Sequence, residues 1–341
     1  MRRYGRNFSE HVRGFLNDGL LDAHAVTDDS TSLCPVSRGL TALILAAGRA
    51  SRMGAPKVLL PAGSGHTLLS RVLATALASV EGRVVVVLGR DAELCRTEVE
   101  RYLEDHPQYR TRVASIENPH YAEGLSTSLR YGVKEVRLEP RGGLMVLLAD
   151  QPAFSEVQAR DLVRTFRGRR PGTVAVAAAE NSEQRNPVVF SADLLPELLT
   201  ITGDGGARGV LKRYGERVQR LELGSGLWFV DADDWATYVG LVRECGWLEE
   251  VSVPKFEGEP STKLVESIVA TSKREPRPLL ASDVLLIGVA DGSVREMVRL
   301  ERPPLRTLTR QGIETVIIGD ASSPEAHLKL LRRAALWTLQ R

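Results

Sequence analysis

At 341 residues, with 43% hydrophobic and 26% charged side chains, the chain is long enough for about two domains and has the composition of a soluble globular protein. A formal net charge of +2 supplies no bulk basicity for nucleic acid or an anionic membrane, and no apolar run approaches the roughly 20 residues needed to span a bilayer, so neither is an expected partner. Three widely separated cysteines, Cys34, Cys95 and Cys245, point to a reducing cytoplasm without a disulfide framework or a zinc site.

The basic amino terminus lacks a following apolar core and is not expected to be a secretory signal. Residues 1–38 read as an extension. In it Phe8, Val12, Phe15 and Leu20 or Leu21 share one side of a short helix, and Thr27 to Arg38 forms a loop. From 39 to 250 strands alternate with helices. The pattern predicts strands at Ala42–Leu45, Val84–Leu88, Val113–Ile116, Leu144–Ala149 and Val174–Ala179. Helices are predicted at Leu68–Val80, Ala92–Leu103, Leu125–Val136 and Val157–Phe166. The runs beginning at Val84 and Leu144 are continuously apolar, as in strands buried on both faces. This rhythm predicts an α/β fold: a mostly parallel, doubly wound, Rossmann-like sheet with helices on both sides. Such sheets bind ligands beyond the carboxyl ends of their strands. A further short strand is expected at Leu227–Val230, ahead of a helix beginning near Trp235.

After Val251 the texture changes. Pro254 to Lys263 reads as a linker, and 251–341 as a small α/β module of open role. Its expected strands are Val284–Val289 and Thr315–Ile318, its expected helices lie near Ser261–Ala270, Leu305–Gln311 and Pro324–Leu339, and Asp291-Gly292 is a turn.

The chemistry gathers at the ends of the predicted strands. The stretch Leu43 to Pro61 passes from a strand into the small-residue loop Ala46-Ala47-Gly48, followed by Arg49, Arg52 and Lys57. Small residues let backbone approach a ligand, exposed N–H groups make an anion-binding concavity, and the cations match phosphate oxygens. The plainer alternative is a surface turn with solvated arginines. It is not a Walker A loop: five residues separate Gly48 from Gly54, and Lys57 comes three later. The dinucleotide pattern G-x-G-x-x-G is absent as well.

Gly89 and Asn118 come just after two other strands. Asn118-Pro119 favours a turn, Gly124 allows close approach, and Ser126 and Ser128 begin a helix whose amino terminus suits an anion. Asp150 comes directly after a buried strand, while Pro152 and Ser155 already supply helix-start chemistry, so the carboxylate is left for a hard cation. Magnesium takes one or two carboxylates plus substrate phosphates. Asp231, first of the acids after Leu227–Val230, is the second expected ligand, and Asp233 is read as the cap of the next helix. The glycine-rich run Thr202 to Arg208, with Asp204, Gly206 and Arg208, reads either as an acceptor loop or as a mobile surface turn.

Together these motifs resemble the molybdenum cofactor cytidylyltransferase-like branch of the MobA-like nucleotidyltransferase superfamily, over Leu40 to Arg243. The signature L-A-A/G-G-x-S-x-R-M-G-x-x-K is matched by Leu45, Ala46, Ala47, Gly48, Ser51, Arg52, Met53, Gly54 and Lys57, with one extra residue after Gly48. The branch's N-P-x-x-x-x-G-x-x-x-S-L run is seen at Asn118, Pro119, Gly124, Ser128 and Leu129, and its G-D-x-G-x-R loop near Asp204 to Arg208. Two departures stand out. Asn186 occupies the place of a usual histidine and cannot change charge near neutral pH as histidine can. The family's D-x-D-T-P-x-D is D-A-D-D-W here, without its Thr-Pro.

The resemblance implies joining CTP, or another nucleoside triphosphate, to molybdopterin with release of pyrophosphate and with Mg2+ as cofactor. It implies Arg52, Lys57 and Asp150 as catalytic residues and Asp150 and Asp231 as metal ligands. The nucleotide would be held by Leu45, Ala46, Ala47, Gly48, Ser51, Arg52, Lys57 and Gly89. The acceptor would meet Asn118, Gly124, Ser126, Ser128, Asn186, Asp204, Gly206 and Arg208. A target molybdoenzyme is a further candidate partner. The alternatives are a guanylyl- or other nucleotidyltransferase of the same superfamily, and a cofactor-binding chaperone without turnover.

Overall fold

The computed structural model describes residues 39–48, 53, 56–63, 65–136, 138, 142–203, 205–247, 256–257, 284–290, 293–299, 315–320 and 323–339. The expectations for 1–38, 261–270, 305–311 and Asp291-Gly292 lie outside them. The main sheet contains β1 (Leu40–Ala46), β2 (Val84–Leu88), β3 (Val113–Glu117), β4 (Gly143–Leu148), β5 (Ala175–Glu180), β6 (Glu183–Ser191) and β7 (Val218–Glu222), in the order β3-β2-β1-β4-β6-β5-β7. The helices of this region are α1 (Leu68–Ser79), α2 (Ala92–Asp105), α3 (Leu125–Glu135), α4 (Glu156–Arg167), α5 (Leu195–Leu198), α6 (Arg208–Tyr214) and α7 (Trp235–Glu244).

β1 is buried along its whole length and pairs in parallel with β2 and β4, Ile44 lying opposite Val86 and Leu147. Successive residues of a strand face opposite sides. Ile44, Val86 and Leu147 therefore meet α1, α2, α4 and α7 through Leu73, Val99, Leu162 and Tyr238. Leu43, Val85 and Val146 meet α3 and α6 through Leu129 and Val210. This two-sided burial is why the central strands read as unbroken apolar runs. Local chemistry sets where helices begin: Thr67 with Ser70 caps α1, and Ser155 with Gln158 caps α4, each as a capping box.

The sheet departs from the expected pattern on one side. β6 runs antiparallel to both β4 and β5, and joins β5 through Asn181 and Ser182, both at positive φ (51° and 66°). That is the conformation of a two-residue hairpin turn. β7 then lies parallel to β5 at the edge. Leu227–Val230 is not a strand: Leu227–Phe229 forms a 3-10 turn, closed by Val230 N–H donating to the Leu227 carbonyl at 3.0 Å. Trp228 and Phe229 pack against Phe154 and Ala178 instead of adding a strand. Burial of the two rings over the end of the sheet outweighs the β propensity of the run.

C-terminal to Val251 lies a second, antiparallel sheet, β10-β9-β11-β8, built from β8 (Phe256–Glu257), β9 (Val284–Ala290), β10 (Ser293–Arg299) and β11 (Thr315–Asp320). Helix α8 (Pro324–Leu339) contacts α2, and its Leu330, Leu331 and Ala335 are buried in the same apolar cluster as Cys95 and Val99. All of these elements belong to one unit, Ser37–Arg341.

Candidate active site

A crevice of about 470 Å3 opens beyond the carboxyl ends of β1, β2 and β4. That volume lies within the usual range for a small-molecule site. Leu45 and Ala46, the last residues of β1, line it together with Ala47 and Gly48 directly after the strand. Gly89, just past β2, supports this loop from beneath: a Cβ there would lie 2.8 Å from the Cα and carbonyl oxygen of Ala47. Only glycine allows the two backbones to run so close.

Lys57 sits on a 3-10 turn, Lys57–Leu59, and is 8% exposed. Its Nζ donates to Asp150 Oδ2 at 2.5 Å and to Asp233 Oδ1 at 2.8 Å. Asp150 lies past the end of β4 as expected. The acidic segment is fastened to it: the Ala232 N–H donates to the Asp150 carbonyl at 2.9 Å, and Gln151 Nε2 donates to Asp231 Oδ1 at 2.8 Å. These two bonds place Asp231 beside Asp150 although the Thr-Pro is missing. The cap of α7 is Asp234, whose Oδ1 accepts from Thr237 N–H at 2.8 Å. The expected cap, Asp233, is turned toward the lysine instead, because the buried ammonium needs a second counter-charge.

Burial works to lower the pKa of the Lys57 ammonium, but Asp150 and Asp233 outweigh it and hold the pKa above its ordinary value. Burial pushes the Asp231 carboxyl up, Asp150 adds to the shift, and the hydrogen bond from Gln151 opposes it. Asp91, at the other side of the crevice, is also raised by burial. Among the described residues no group of three or more His, Cys, Asp or Glu is arranged to hold a metal ion. The hard-oxygen pair Asp150 and Asp231 suits a cation that completes its shell with substrate phosphates.

Opposite Lys57 the crevice is walled by Tyr121 to Leu125 and Ser128. Gly124 takes φ 117° at the start of α3, a conformation side chains resist. Asn118 is fully buried and turned inward. Its Nδ2 donates to Thr127 Oγ1 (2.9 Å) and Ser128 Oγ (3.0 Å), and its Oδ1 accepts from His120 N–H (2.9 Å). Ser126 is also buried, and its N–H donates to the Gly203 carbonyl at 3.3 Å, tying α3 to the 202–208 loop. Gly206 is buried against Leu125, and Arg208 is exposed at the start of α6. Asn186, half-buried, lies with Pro187 in a bulge of β6: pairing with β5 passes from Val188–Ala177 directly to Arg185–Ala178. A bulge tolerates the missing proline N–H. Ser51, Arg52 and Asp204 lie outside the described residues.

Gln151, the lysine-directed turn of Asp233 and two residues of α7 carry no signal of their place in the site in the sequence. Trp235 Nε1 donates to the Met53 carbonyl at 2.9 Å, and Tyr238 Oη donates to the Pro61 carbonyl at 2.8 Å. Helix α7 thus holds the stretch Leu43 to Pro61 at its middle and at its carboxyl end, with Met53 itself fully buried. In the sequence that pair of aromatic residues, three apart, reads as ordinary core. No helix among the described residues is long and apolar enough to cross a membrane.

Comparison with known proteins places this architecture. The model of the MobA-like NTP transferase domain matches residues 42–218. The chain is 30% identical over 184 residues to the nicotine blue oxidoreductase of Paenarthrobacter nicotinovorans, covering 51% of this chain and 82% of that protein. It is 31% identical over 173 residues to the purine catabolism protein PucB of Bacillus subtilis strain 168, covering 51% and 80%. A probable molybdenum cofactor guanylyltransferase of Rhodopirellula baltica is 28% identical over 150 residues, covering 44% and 66%.

Proposed function

We propose that this chain, which belongs to the MobA-like NTP transferase family, joins CTP to molybdopterin or the molybdenum cofactor and releases pyrophosphate. Nucleotidyl transfer is the chemistry of the family. The nucleotide and the acceptor are our reading. The observation that carries it is Lys57, held between Asp150 and Asp233 at the mouth of a crevice floored by Ala46, Ala47 and Gly48. Phosphate oxygens and a hard cation both find partners there. The same donor set gives no support to transferring the oxidoreductase name of one relative to this chain.

In the proposed reaction a terminal phosphate oxygen of the acceptor attacks the α-phosphorus of the nucleotide. The new P–O bond forms as the bond from that phosphorus to the β-phosphate bridging oxygen breaks, and pyrophosphate carries the electron pair away. The protein needs no covalent intermediate, because positioning and neutralised charge lower the barrier. The backbone of Ala46-Ala47-Gly48 approaches the nucleotide, Lys57 meets the triphosphate oxygens, and Arg52 joins it by analogy with the family signature. Gly124 and Ser128 on the opposite wall, with the 202–208 loop behind them, orient the other substrate. Asp150 and Asp231 would hold Mg2+, which when bound supplies charge neutralisation at the reacting phosphate. Asn118, whose polar atoms are all engaged within the protein, shapes that wall rather than touching substrate.

The choice of CTP rests on the Ala-Ala-Gly form of the loop, and molybdopterin on the family resemblance and on the relative from Rhodopirellula baltica. The reading is tested by pyrophosphate release with Mg2+ and molybdopterin, comparing CTP, GTP, ATP and UTP. Release with CTP alone is expected. Release with GTP alone would move the protein to the guanylyltransferase branch. Tight molybdopterin binding without release from any nucleotide would make it a cofactor carrier.

A further inference from the structure

We propose that Lys57 is a placeholder cation: in the free protein its ammonium takes the carboxylate positions for which a divalent metal competes, and it passes to the triphosphate only when metal and nucleotide arrive together. The inference rests on the nucleotidyl-transfer reading above. It adds an order of binding, and it gives Asp233 a role as the lysine's second anchor.

The geometry points this way from three sides. The lysine stem runs over the small-residue loop, since a Cβ on Gly48 would lie 4.0 Å from Lys57 Cε. Its ammonium ends on Asp150 and Asp233. The side chain thus spans the anion-binding floor and the acidic wall, and the ammonium in its observed place is committed to the wall. Next, the Ala232 and Gln151 bonds fasten Asp231 beside Asp150, and Asp233 follows in the same segment. Carboxylates gathered in a partly buried wall require a counter-charge, and Lys57 provides it. Last, a lysine ammonium has three donors on a flexible stem, so it exchanges carboxylate oxygens for phosphate oxygens by rotation alone.

A metal ion arriving alone must share Asp150 with this ammonium or expel it, and neither is favourable. A metal arriving with a triphosphate offers the expelled ammonium new oxygens. Metal and nucleotide therefore bind with positive coupling that runs through one side chain, and the coupling is reciprocal. Asp233, exposed over half of its side chain, holds the lysine in the crevice while it is parked.

The test uses Mn2+ alone as the probe, with bound metal read by electron paramagnetic resonance, on the full chain and on Lys57→Met, with and without CTP. Expected is roughly tenfold tighter binding of Mn2+ alone by Lys57→Met than by the native chain. CTP is expected to tighten Mn2+ binding strongly in the native chain and much less in the variant. Equal affinity of the two proteins for Mn2+ alone would overturn the placeholder while leaving the metal reading standing. Failure of both to bind Mn2+ even with CTP would remove the metal reading itself. A second measurement needs no destabilising variant: acetylation of Lys57 by an amine-reactive reagent, read by peptide mass spectrometry. It is expected to be slow in the native chain, and to rise several-fold with saturating Mn2+ or, without metal, in Asp233→Asn. Acetylation unchanged by saturating Mn2+ would show that the ammonium is not displaced, and would sink the proposal.

Discussion

Lys57 is almost wholly buried, yet its ammonium remains charged because two carboxylates lie within hydrogen-bond reach. Those carboxylates also set the sign of its linkage to pH. Its folded pKa stands above the ordinary 10.5, since Asp150 and Asp233 outweigh the opposing effect of burial. A raised base contributes stability that is fully present below its unfolded pKa and is lost as pH climbs through the folded one. Urea titrations of the native chain and of Lys57→Met should therefore differ by a constant amount between about pH 7 and 9, and the gap should narrow above the ordinary lysine value. A gap that widens with alkali would contradict the ion-pair geometry. Asp150→Asn tests the partner. It keeps the shape and leaves the lysine on Asp233, so the fold should persist, while pyrophosphate release should fall by about 10²–10³-fold. Release at the native rate in this variant would remove Asp150 from the metal site.

At the scale of elements, the site is made by segments that leave strand ends and are then pinned. Asn118 pins one of them. Its three side-chain bonds fasten the turn after β3 to the first turn of α3, and its removal strips buried groups of a partner. Asn118→Ala should cost about 1–3 kcal/mol, read by thermal denaturation. A loss of affinity for the acceptor without loss of stability would instead mean that the side chain meets substrate directly. The same physics decides which elements are legible in the sequence. β1, β2 and β4 are apolar on both faces, so their runs are unmistakable. β6 begins with the polar Glu183-Gln184-Arg185 and turns through Asn181-Ser182, which lacks the Asn-Gly or Asp-Gly signal of a hairpin. Leu227–Val230 misleads because a short apolar run carries no period to separate a strand from a turn packed under aromatic rings. The place of Asp150 is legible because it follows the apolar run of β4. Gln151, Trp235 and Tyr238 are not, because their partners are 80, 182 and 177 residues away in sequence and only the fold brings them together.

For the molecule as a whole, the question is how far the main sheet depends on the residues beyond 250. Our division treats 39–250 as the transferase domain and 251–341 as a separate module. The second sheet has its own antiparallel pairing and shares no strand with the first. Helix α8, however, places Leu330, Leu331 and Ala335 in the apolar cluster that also holds Cys95 and Val99 of α2. Truncation after residue 250 removes those side chains and wets the back of a helix whose amino-terminal end borders the crevice at Asp91. Two leucines at about 1.5–3 kcal/mol each, with a smaller share for the alanine, amount to about 4–6 kcal/mol of lost burial. That is an upper figure, because the unfolded chain already hides part of this surface. A domain of this size loses roughly 2–4 °C of Tm per kcal/mol, so the fragment should melt roughly 8–24 °C below the full chain. It should still bind CTP, because Lys57, Asp150 and the 231–233 segment owe their positions to β1, β4 and α7. Calorimetry of the fragment checks both parts. A fragment that melts early and binds supports two cooperating units. A fragment that is insoluble, or folded but unable to bind CTP, would show that the C-terminal module completes the transferase domain, and the boundary at residue 250 would have to be abandoned.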